Sequence, residues 1–341
     1  MRSLLAAAAL VALLAGCSAP VATPTSTVVP SQAPLAELDL VDDPRAVDGP
    51  STAVLASEAV EVIDPPAEPS GLGDHPRVLG LDIAGSIAGT IAGLGLADLL
   101  VGRDVSTTFP GSEDLPFVTT GGHTINAEAV LALRPTLVIT DGTIGPRDVI
   151  EQLGEAGIDV VFVDNEPSFA GAGRLARDVA AALGDPSAGE RLATQIATAV
   201  DAKVAEIAEI APPEGARVRI LFLYLRGGSG IYYLFGEESG ADELIRGLSA
   251  VDVAGEIGWD GMKPMTDEAL IAADPDVILV MTGGLESAGG VDGLLQSKPA
   301  LELTTAGQHR RFVDMGDGVV LGFGPRSAAV LDALARALYA P

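Results

Sequence analysis

The chain has 341 residues, with 47 acidic and 20 basic side chains and a formal net charge of −27 at pH 7. Such an excess of carboxylates repels phosphate, so the composition argues against binding to nucleic acid or to an anionic lipid surface. Cys17 is the one cysteine of the sequence, which excludes an intrachain disulfide and a thiolate metal cluster.

The first residues have the pattern of a secretory signal peptide, predicted at 1–16. Arg2 precedes an apolar run at 4–15 that is too short to span a bilayer. The LAGC sequence that ends at Cys17 resembles the bacterial lipobox, which implies that this cysteine becomes the lipidated N-terminus. Residues 17–73 are rich in Pro, Ser, Thr, Ala and acidic side chains and predict a lipid-anchored, disordered tether.

Alternating strand and helix patterns predict an N-terminal α/β lobe at 74–184. The sequence RVLGLDI, which begins at Arg77, predicts a buried strand, and helical and strand patterns then follow each other. This alternation is typical of a mostly parallel sheet with helices on its faces.

The stretch 119–139, TTGGHTINAEAVLALRPTLVI, is the most informative part of this lobe. Its glycine pair predicts a turn with His123 at the tip. A helix then begins under an Asn or Thr cap and ends at Pro135, before a short buried strand. A histidine on such a turn points outward, as a ligand does. An ordinary surface histidine is equally compatible with these residues alone.

A long helix is predicted at 185–213. It begins at Asp185-Pro186, carries apolar side chains at helical spacing and stops at the proline pair that ends the range. Roughly 25 residues at about 1.5 Å each give about 38 Å, which is long for a compact domain. We therefore expect a rigid connector.

The second half repeats the first and predicts a C-terminal α/β lobe at 214–341. The helix and strand pattern AEAVLALRPTLVI is matched by DEALIAADPDVIL, which pairs Glu128 with Glu268 and Pro135 with Pro275, each 140 positions apart. The repeat predicts two similar α/β lobes with mostly parallel sheets, joined by one long connecting helix. Ligands of such lobes bind where the carboxyl ends of strands face one another.

A candidate site in the second lobe is the sequence YLRGG. Tyr224 and Arg226 are two positions apart, so on a strand their side chains share one face. A guanidinium beside a phenol stabilises the phenolate, which is a donor suited to ferric iron and a known type of haem ligand. An ordinary core tyrosine is the alternative, and Tyr232 and Tyr233 are further candidates.

The order of signal, lipobox, tether, lobe, helix and lobe resembles the substrate-binding proteins of bacterial iron-complex and vitamin B12 importers, which have the class III periplasmic-binding-protein-like fold. Within that group, GGHTINAEAVLALRPTLVI followed by YLRGG is similar to the haem-binding lipoproteins of Gram-positive haem-uptake systems. The resemblance implies that His123 and Tyr224 are axial ligands of a haem iron from opposite lobes. It also implies that Arg226 supports Tyr224, and that Glu128 and Glu238 dock on the permease.

The implied function is capture of haem by a monomeric, lipid-anchored protein at the extracellular face of the cell membrane. Haem would pass to the permease and ATPase of an ABC importer without any catalysis. The same fold binding a ferric siderophore or cobalamin is one alternative, and a secreted α/β enzyme is another, although no familiar catalytic motif is present. Arg326 is a candidate partner for a haem propionate, whereas His75 and His309 are expected in loops.

Overall fold

The computed structural model of the chain describes residues 26–27, 33–63, 76–226 and 232–341. The predicted signal peptide, Cys17, His75 and the glycines of the YLRGG sequence lie outside these residues. Among the described helices, none combines the length and the apolar composition needed to cross a bilayer.

Two short strands precede the first lobe, which is built around a three-stranded parallel sheet. The elements are β1 (Ser26–Thr27), β2 (Ser51–Thr52), β3 (Val78–Leu81), α1 (Ser86–Gly93), β4 (Thr119–Thr120), β5 (Thr124–Ile125), α2 (Ala127–Leu133), β6 (Leu137–Thr140), α3 (Arg147–Glu155), β7 (Asp159–Phe162) and α4 (Phe169–Ala182). The sheet order is β3-β6-β7, and β4 and β5 form a separate antiparallel pair. Strands β3 and β6 are buried on both faces because helices cover both sides of the sheet.

A single helix, α5 (Pro186–Ile210), connects the two lobes and has 25 residues. The side chain of Asp185 caps its first turn, and proline occupies its first position, where no backbone N–H is needed. Gly189 lets α5 approach α4 closely, because a Cβ atom there would lie 2.9 Å from the Ala176 carbonyl oxygen. Small residues at this crossing therefore fix the connector against the first lobe.

The second lobe contains a larger mixed sheet. Its elements are β8 (Arg219–Leu225), β9 (Tyr232–Phe235), α6 (Ala241–Gly247), β10 (Val251–Asp252), α7 (Val253–Glu256), β11 (Met262–Pro264), α8 (Asp267–Ala273), β12 (Val277–Met281), α9 (Thr282–Ser287), α10 (Gly290–Ser297), α11 (Thr305–Gln308), β13 (Phe312–Met315), α12 (Asp317–Val320) and α13 (Ser327–Tyr339). The sheet order is β1-β2-β13-β12-β8-β9-β11, and β10 also pairs with β8. Strands β8, β12 and β13 are parallel, whereas β9 and β11 run antiparallel to their neighbours.

The repeat predicted from the sequence is also present in the structure. Helices α2 and α8 each have seven residues and an N-cap side chain, from Asn126 and Thr266 respectively. Each ends at a left-handed residue, Arg134 with φ 48° or Asp274 with φ 39°, before a proline and a buried strand. The triples β3-β6-β7 and β8-β12-β13 have the same order. The predicted fold of two similar α/β lobes and one connecting helix is confirmed.

The prediction of a disordered tether at 17–73 is wrong for residues 33–63, which we call the N-terminal strap. Leu35, Leu55 and Ile63 of the strap are buried. Strand β2 extends the second-lobe sheet by pairing with β13. A composition rich in Pro and Ser indicated that this segment lacks a core of its own. The segment is ordered because its few apolar side chains fill surface grooves that the lobes provide.

The strap contacts the connecting helix and both lobes. At its start, the backbone N–H of Leu35 donates to Glu206 of α5 at 2.7 Å. In the middle, the buried Arg311 guanidinium donates to Ser51 Oγ at 2.7 Å. At its end, the N–H of Ile63 donates to the carbonyl of Gly93, the last residue of α1, at 3.1 Å. The strap therefore joins the second lobe to the first independently of α5.

Replacement of Leu35 by alanine tests the packing of the strap. The Leu35 side chain is fully buried, so we expect Leu35→Ala to lower the free energy of unfolding by about 2–4 kcal/mol. Denaturant unfolding measures this change. The matched control is Leu303→Ala at a side chain that is 62% exposed, where the change should stay within about 0.5 kcal/mol. A Leu35→Ala variant as stable as the wild type would contradict the packed strap.

Candidate functional site

The carboxyl edges of the two sheets face each other. A Cβ atom at Gly322, after β13, would lie 3.1 Å from the carbonyl oxygen of Ala84, after β3. Thr108 Oγ1, in the loop between α1 and β4, also donates to the Gly318 carbonyl at 3.2 Å. The segment after β7 also reaches the second lobe, where the rings of Phe169 and Phe323 meet edge to face with centroids 5.3 Å apart. Residues at the ends of parallel strands from both lobes therefore border one cleft, the usual ligand position in open α/β sheets.

His123 lies in the turn between β4 and β5, where its side chain is exposed. Gly121 and Gly122 have φ of +58° and +95°, a conformation that favours glycine, and they form the turn that the sequence predicted. The turn is attached to the loop after β6, because the Ile125 N–H donates to the Gly145 carbonyl at 2.6 Å. The structure thus places His123 at the carboxyl edge of the first-lobe sheet.

Tyr224 is the second-last residue of β8, at the carboxyl edge of the second-lobe sheet, and is half-buried. Its ring stacks on Phe235 with centroids 5.5 Å apart and planes 11° apart. Phe235 in turn stacks on Phe222 at 5.2 Å and 4°. This aromatic stack restricts the phenol to a narrow range of orientations.

The remaining candidates from the sequence lie in different surroundings. Arg226 follows β8 directly and is exposed. Tyr232 is buried on the other face of the sheet, with its hydroxyl 3.0 Å from Ser297 Oγ, so it is a core residue. Arg326 is buried and donates to the Gly318 carbonyl at 3.2 Å, which does not suit a propionate partner. His309 contacts Asp48 of the strap, before β13, at the edge of the sheet remote from the cleft.

Tyr233 remains close to the site. It lies opposite Tyr224 in the register of β8 and β9, and the two ring centroids are 6.4 Å apart. Because cross-strand partners point to the same face of a sheet, both phenols are on the side that carries Phe222 and Phe235. Tyr233 therefore lies next to Tyr224 and does not occupy the same position.

A group of carboxylates that the sequence did not single out lies beneath the first-lobe edge. Asp82 is fully buried after β3 and accepts from the N–H groups of Ser86 and Ile87 at the start of α1. Burial, together with the nearby carboxylates of Asp104 and Asp141, raises the pKa of Asp82 to about 7. The group fixes the start of α1 next to the cleft.

The glutamates predicted to dock on the permease are on the surface. Glu128 is exposed in the first turn of α2, and Glu238 is exposed at a left-handed position with φ 65°. Glu268 occupies, in α8, the position that Glu128 occupies in α2, and it is exposed as well. The structural repeat thus identifies Glu268 as the equivalent of Glu128, which the sequence alignment already contained.

No group of three or more His, Cys, Asp or Glu side chains is arranged to hold a metal ion in the part of the chain that the structure describes. His123 near the first-lobe edge and Tyr224 near the second-lobe edge are instead single donor residues. A planar group that already ligates a metal leaves one coordination position open on each face. Two single donors on facing edges suit a metal of this kind.

Comparisons with known proteins agree with this architecture. A profile of the periplasmic binding protein family matches residues 83–318. The solved heme binding protein HmuT is 40% identical, covers 88% of this chain and 100% of its own, and has a TM-score of 0.81. Three HmuT variants, in which one histidine, one tyrosine or one arginine is replaced by alanine, match with TM-scores of 0.81 or 0.82.

Two further structures match over most of their length. The periplasmic heme-binding protein RhuT from Roseiflexus sp. RS-1, in its apo form, is 37% identical over 78% of this chain and 98% of its own, with a TM-score of 0.71. The periplasmic heme-binding protein BhuT, in complex with two hemes, is 33% identical over 77% and 97%, with a TM-score of 0.66. A comparison with curated protein sequences gives no match.

Two duplicated α/β lobes, joined by one long helix and facing each other at their carboxyl edges, define a bilobal ligand-binding protein. The chain belongs to the periplasmic binding protein family. Membership of this family indicates an extracytoplasmic location, and the solved relatives are binding proteins rather than enzymes.

The buried Asp82 gives stability a defined pH dependence. Its pKa rises from 3.8 to about 7 on folding, so between these values the folded state holds a proton that the unfolded state releases. The contribution of Asp82 to stability is therefore lost as pH rises from about 4 to about 7. Melting temperatures of the wild type and Asp82→Asn should diverge in favour of the variant over this range. A constant difference at all pH values, as expected for the exposed control Asp148→Asn, would refute this origin.

Proposed function

We propose that this protein captures haem in the cleft between its lobes and delivers it to an ABC importer. The observation that carries the proposal is that His123 and Tyr224, from opposite lobes, lie at the carboxyl edges that face each other. Relatives that match along nearly their whole length are heme-binding proteins. In HmuT, the tyrosine and arginine replaced in the variants are two positions apart, as Tyr224 and Arg226 are here.

His123 and Tyr224 bind the haem iron from its two faces. A neutral imidazole donates a nitrogen lone pair, and the phenolate of Tyr224 contributes a negative oxygen that favours ferric iron. Arg226, on the same strand face, stabilises the phenolate by its positive charge. Burial of the apolar macrocycle supplies most of the affinity, and the two axial bonds determine orientation and metal selectivity.

The aromatic stack gives the phenol its orientation before ligand arrives. Phe235 holds the Tyr224 ring face to face, so little side-chain freedom is lost when the oxygen binds iron. His123, in contrast, is exposed on a short glycine turn and can adjust to the position of the iron. One lobe therefore presents a fixed ligand and the other an adaptable one.

Delivery requires surfaces that a permease recognises. Glu128 and Glu268 are exposed at equivalent positions of the two lobes, so one pair of similar basic sites on a permease can contact both. This symmetry makes Glu268 a stronger second-lobe candidate than Glu238. The protein acts as a monomer, attached to the extracellular face of the cell membrane through a lipid on Cys17, and has no catalytic role.

The relatives favour haem over a ferric siderophore or cobalamin as the ligand, because the solved proteins that match over most of their length are heme-binding. An absorbance titration with haemin separates these ligands. Ferric haem bound by a protein gives an intense Soret band whose position depends on the axial ligands. A wild-type protein that gives no such band with haemin, and binds a siderophore or cobalamin instead, would refute the proposed ligand.

Replacement of either axial residue tests its assignment. His123→Ala and Tyr224→Ala should each weaken haem binding by about tenfold or more and shift the Soret band, because each removes one bond to iron. Arg226→Ala should weaken binding less, since it removes only a positive charge near the phenol oxygen. Tyr233→Phe is the matched control and should leave the spectrum unchanged. If both alanine variants give the wild-type spectrum, the assignment of His123 and Tyr224 as iron ligands is wrong.

The docking surfaces are tested separately from ligand binding. Glu128→Gln and Glu268→Gln should bind haem as the wild type does but stimulate the ATPase of the reconstituted importer less, because a charge pair with the permease is lost. Glu238→Gln is the comparison variant. If Glu268→Gln stimulates the ATPase as well as the wild type does and Glu238→Gln stimulates it less, Glu238 is the second-lobe contact.

A further inference from the structure

Two large apolar side chains are exposed at the carboxyl edge of the first-lobe sheet. Ile83 is the second residue after β3 and is 51% exposed, and Phe162 ends β7 and is 52% exposed. Strand β6 lies between β3 and β7, so the two side chains flank its end. Single exposed apolar residues are common, but a pair on one edge beside a ligand cleft suggests that a ligand covers them.

Both residues adjoin the part of the first lobe that carries the His123 turn. Val160, two positions before Phe162 on β7, packs in the cluster that includes Ile125 of β5, so Phe162 is on the sheet face of the β4–β5 pair. Ile83 lies in a turn after β3, and its N–H donates to Thr143 of the loop after β6, whose Gly145 accepts from Ile125. The two apolar residues and the His123 turn therefore adjoin the same loop.

The exposure of Ile83 is imposed by the fold and does not come from a loose loop. Its N–H donates to Thr143 Oγ1 at 3.0 Å, and its carbonyl accepts from Ser106 Oγ at 2.6 Å. The backbone is thus held from both sides while the side chain stays outside the core. An isoleucine fixed in this way costs solvation free energy until a ligand covers it.

Phe162 is placed by the loop that also supports the His123 turn. A Cβ atom at Gly142 would lie 3.5 Å from the Phe162 ring, so the ring is next to this loop. The same loop accepts a hydrogen bond from Ile125 through Gly145. The His123 turn, the loop after β6 and the Phe162 ring are consequently one connected unit.

We propose that Ile83 and Phe162 form an apolar ledge on which the porphyrin ring of the ligand lies, and that this ledge contributes to affinity independently of the axial ligands. The inference rests on the proposed capture of haem. It assigns the recognition of the planar, apolar macrocycle to the first lobe, while Tyr224 of the second lobe recognises the metal. A siderophore, which is more polar and has no flat macrocycle, gains less from two such side chains.

The test compares haemin with metal-free protoporphyrin IX, which has the same ring and no metal to ligate. The double variant Ile83→Asn/Phe162→Asn should bind both compounds about tenfold more weakly than the wild type. At saturation with haemin its Soret band should keep the wild-type position, because the axial ligands are unchanged. His123→Ala and Tyr224→Ala should weaken haemin binding but leave protoporphyrin IX binding nearly unaltered.

Two controls keep the outcome clear. Leu303→Asn replaces an exposed apolar side chain just before α11 and should change neither affinity. Helix α11 is at the edge remote from the cleft, because its Ala306 N–H donates to the carbonyl of Pro275, two residues before β12. Ile83→Val/Phe162→Leu retains an apolar surface and should retain most of the affinity. A wild type that fails to bind haemin overturns the proposed function and the ledge together. If the wild type binds haemin and the asparagine variant binds both compounds as tightly as the wild type does, the ledge alone is overturned.

Discussion

The direction of parallel strands is the constraint on which the candidate site depends. In each lobe the equivalent strands β3, β6, β7 and β8, β12, β13 run the same way, so the loops after them gather at one edge. Close contact between Gly322, after β13, and Ala84, after β3, holds these two edges opposite each other. A histidine near one edge and a tyrosine near the other therefore lie near facing edges, although about a hundred residues separate them in sequence.

The surroundings of the cleft are built to keep their shape. Stacked rings support Tyr224, and hydrogen bonds to the loop after β6 support the His123 turn. The long helix α5 and the N-terminal strap both join the lobes, and two separate connections restrict relative motion more than one does. Such a molecule binds with little rearrangement, which reduces the entropy lost on association.

The sequence predicted those features that follow from local patterns and their repetition. The duplicated helix, proline and strand predicted two similar lobes, and the glycine pair predicted the turn at His123. The strap was missed because its order comes from contacts with distant elements, such as β2 with β13, which composition does not encode. Ile83 and Phe162 were missed because an apolar residue at a strand end has the same local pattern whether it is buried or exposed. Glu268 was visible in the repeat but was not used.

The structure of the protein with bound haem is the most direct test of whether His123 and Tyr224 bind one iron atom from different lobes. We expect a haem lying between the carboxyl edges of the sheets, with its iron bonded to the imidazole of His123 on one face and to the phenol oxygen of Tyr224 on the other. Iron bonded to neither side chain, or haem bound outside the cleft between the lobes, would contradict it.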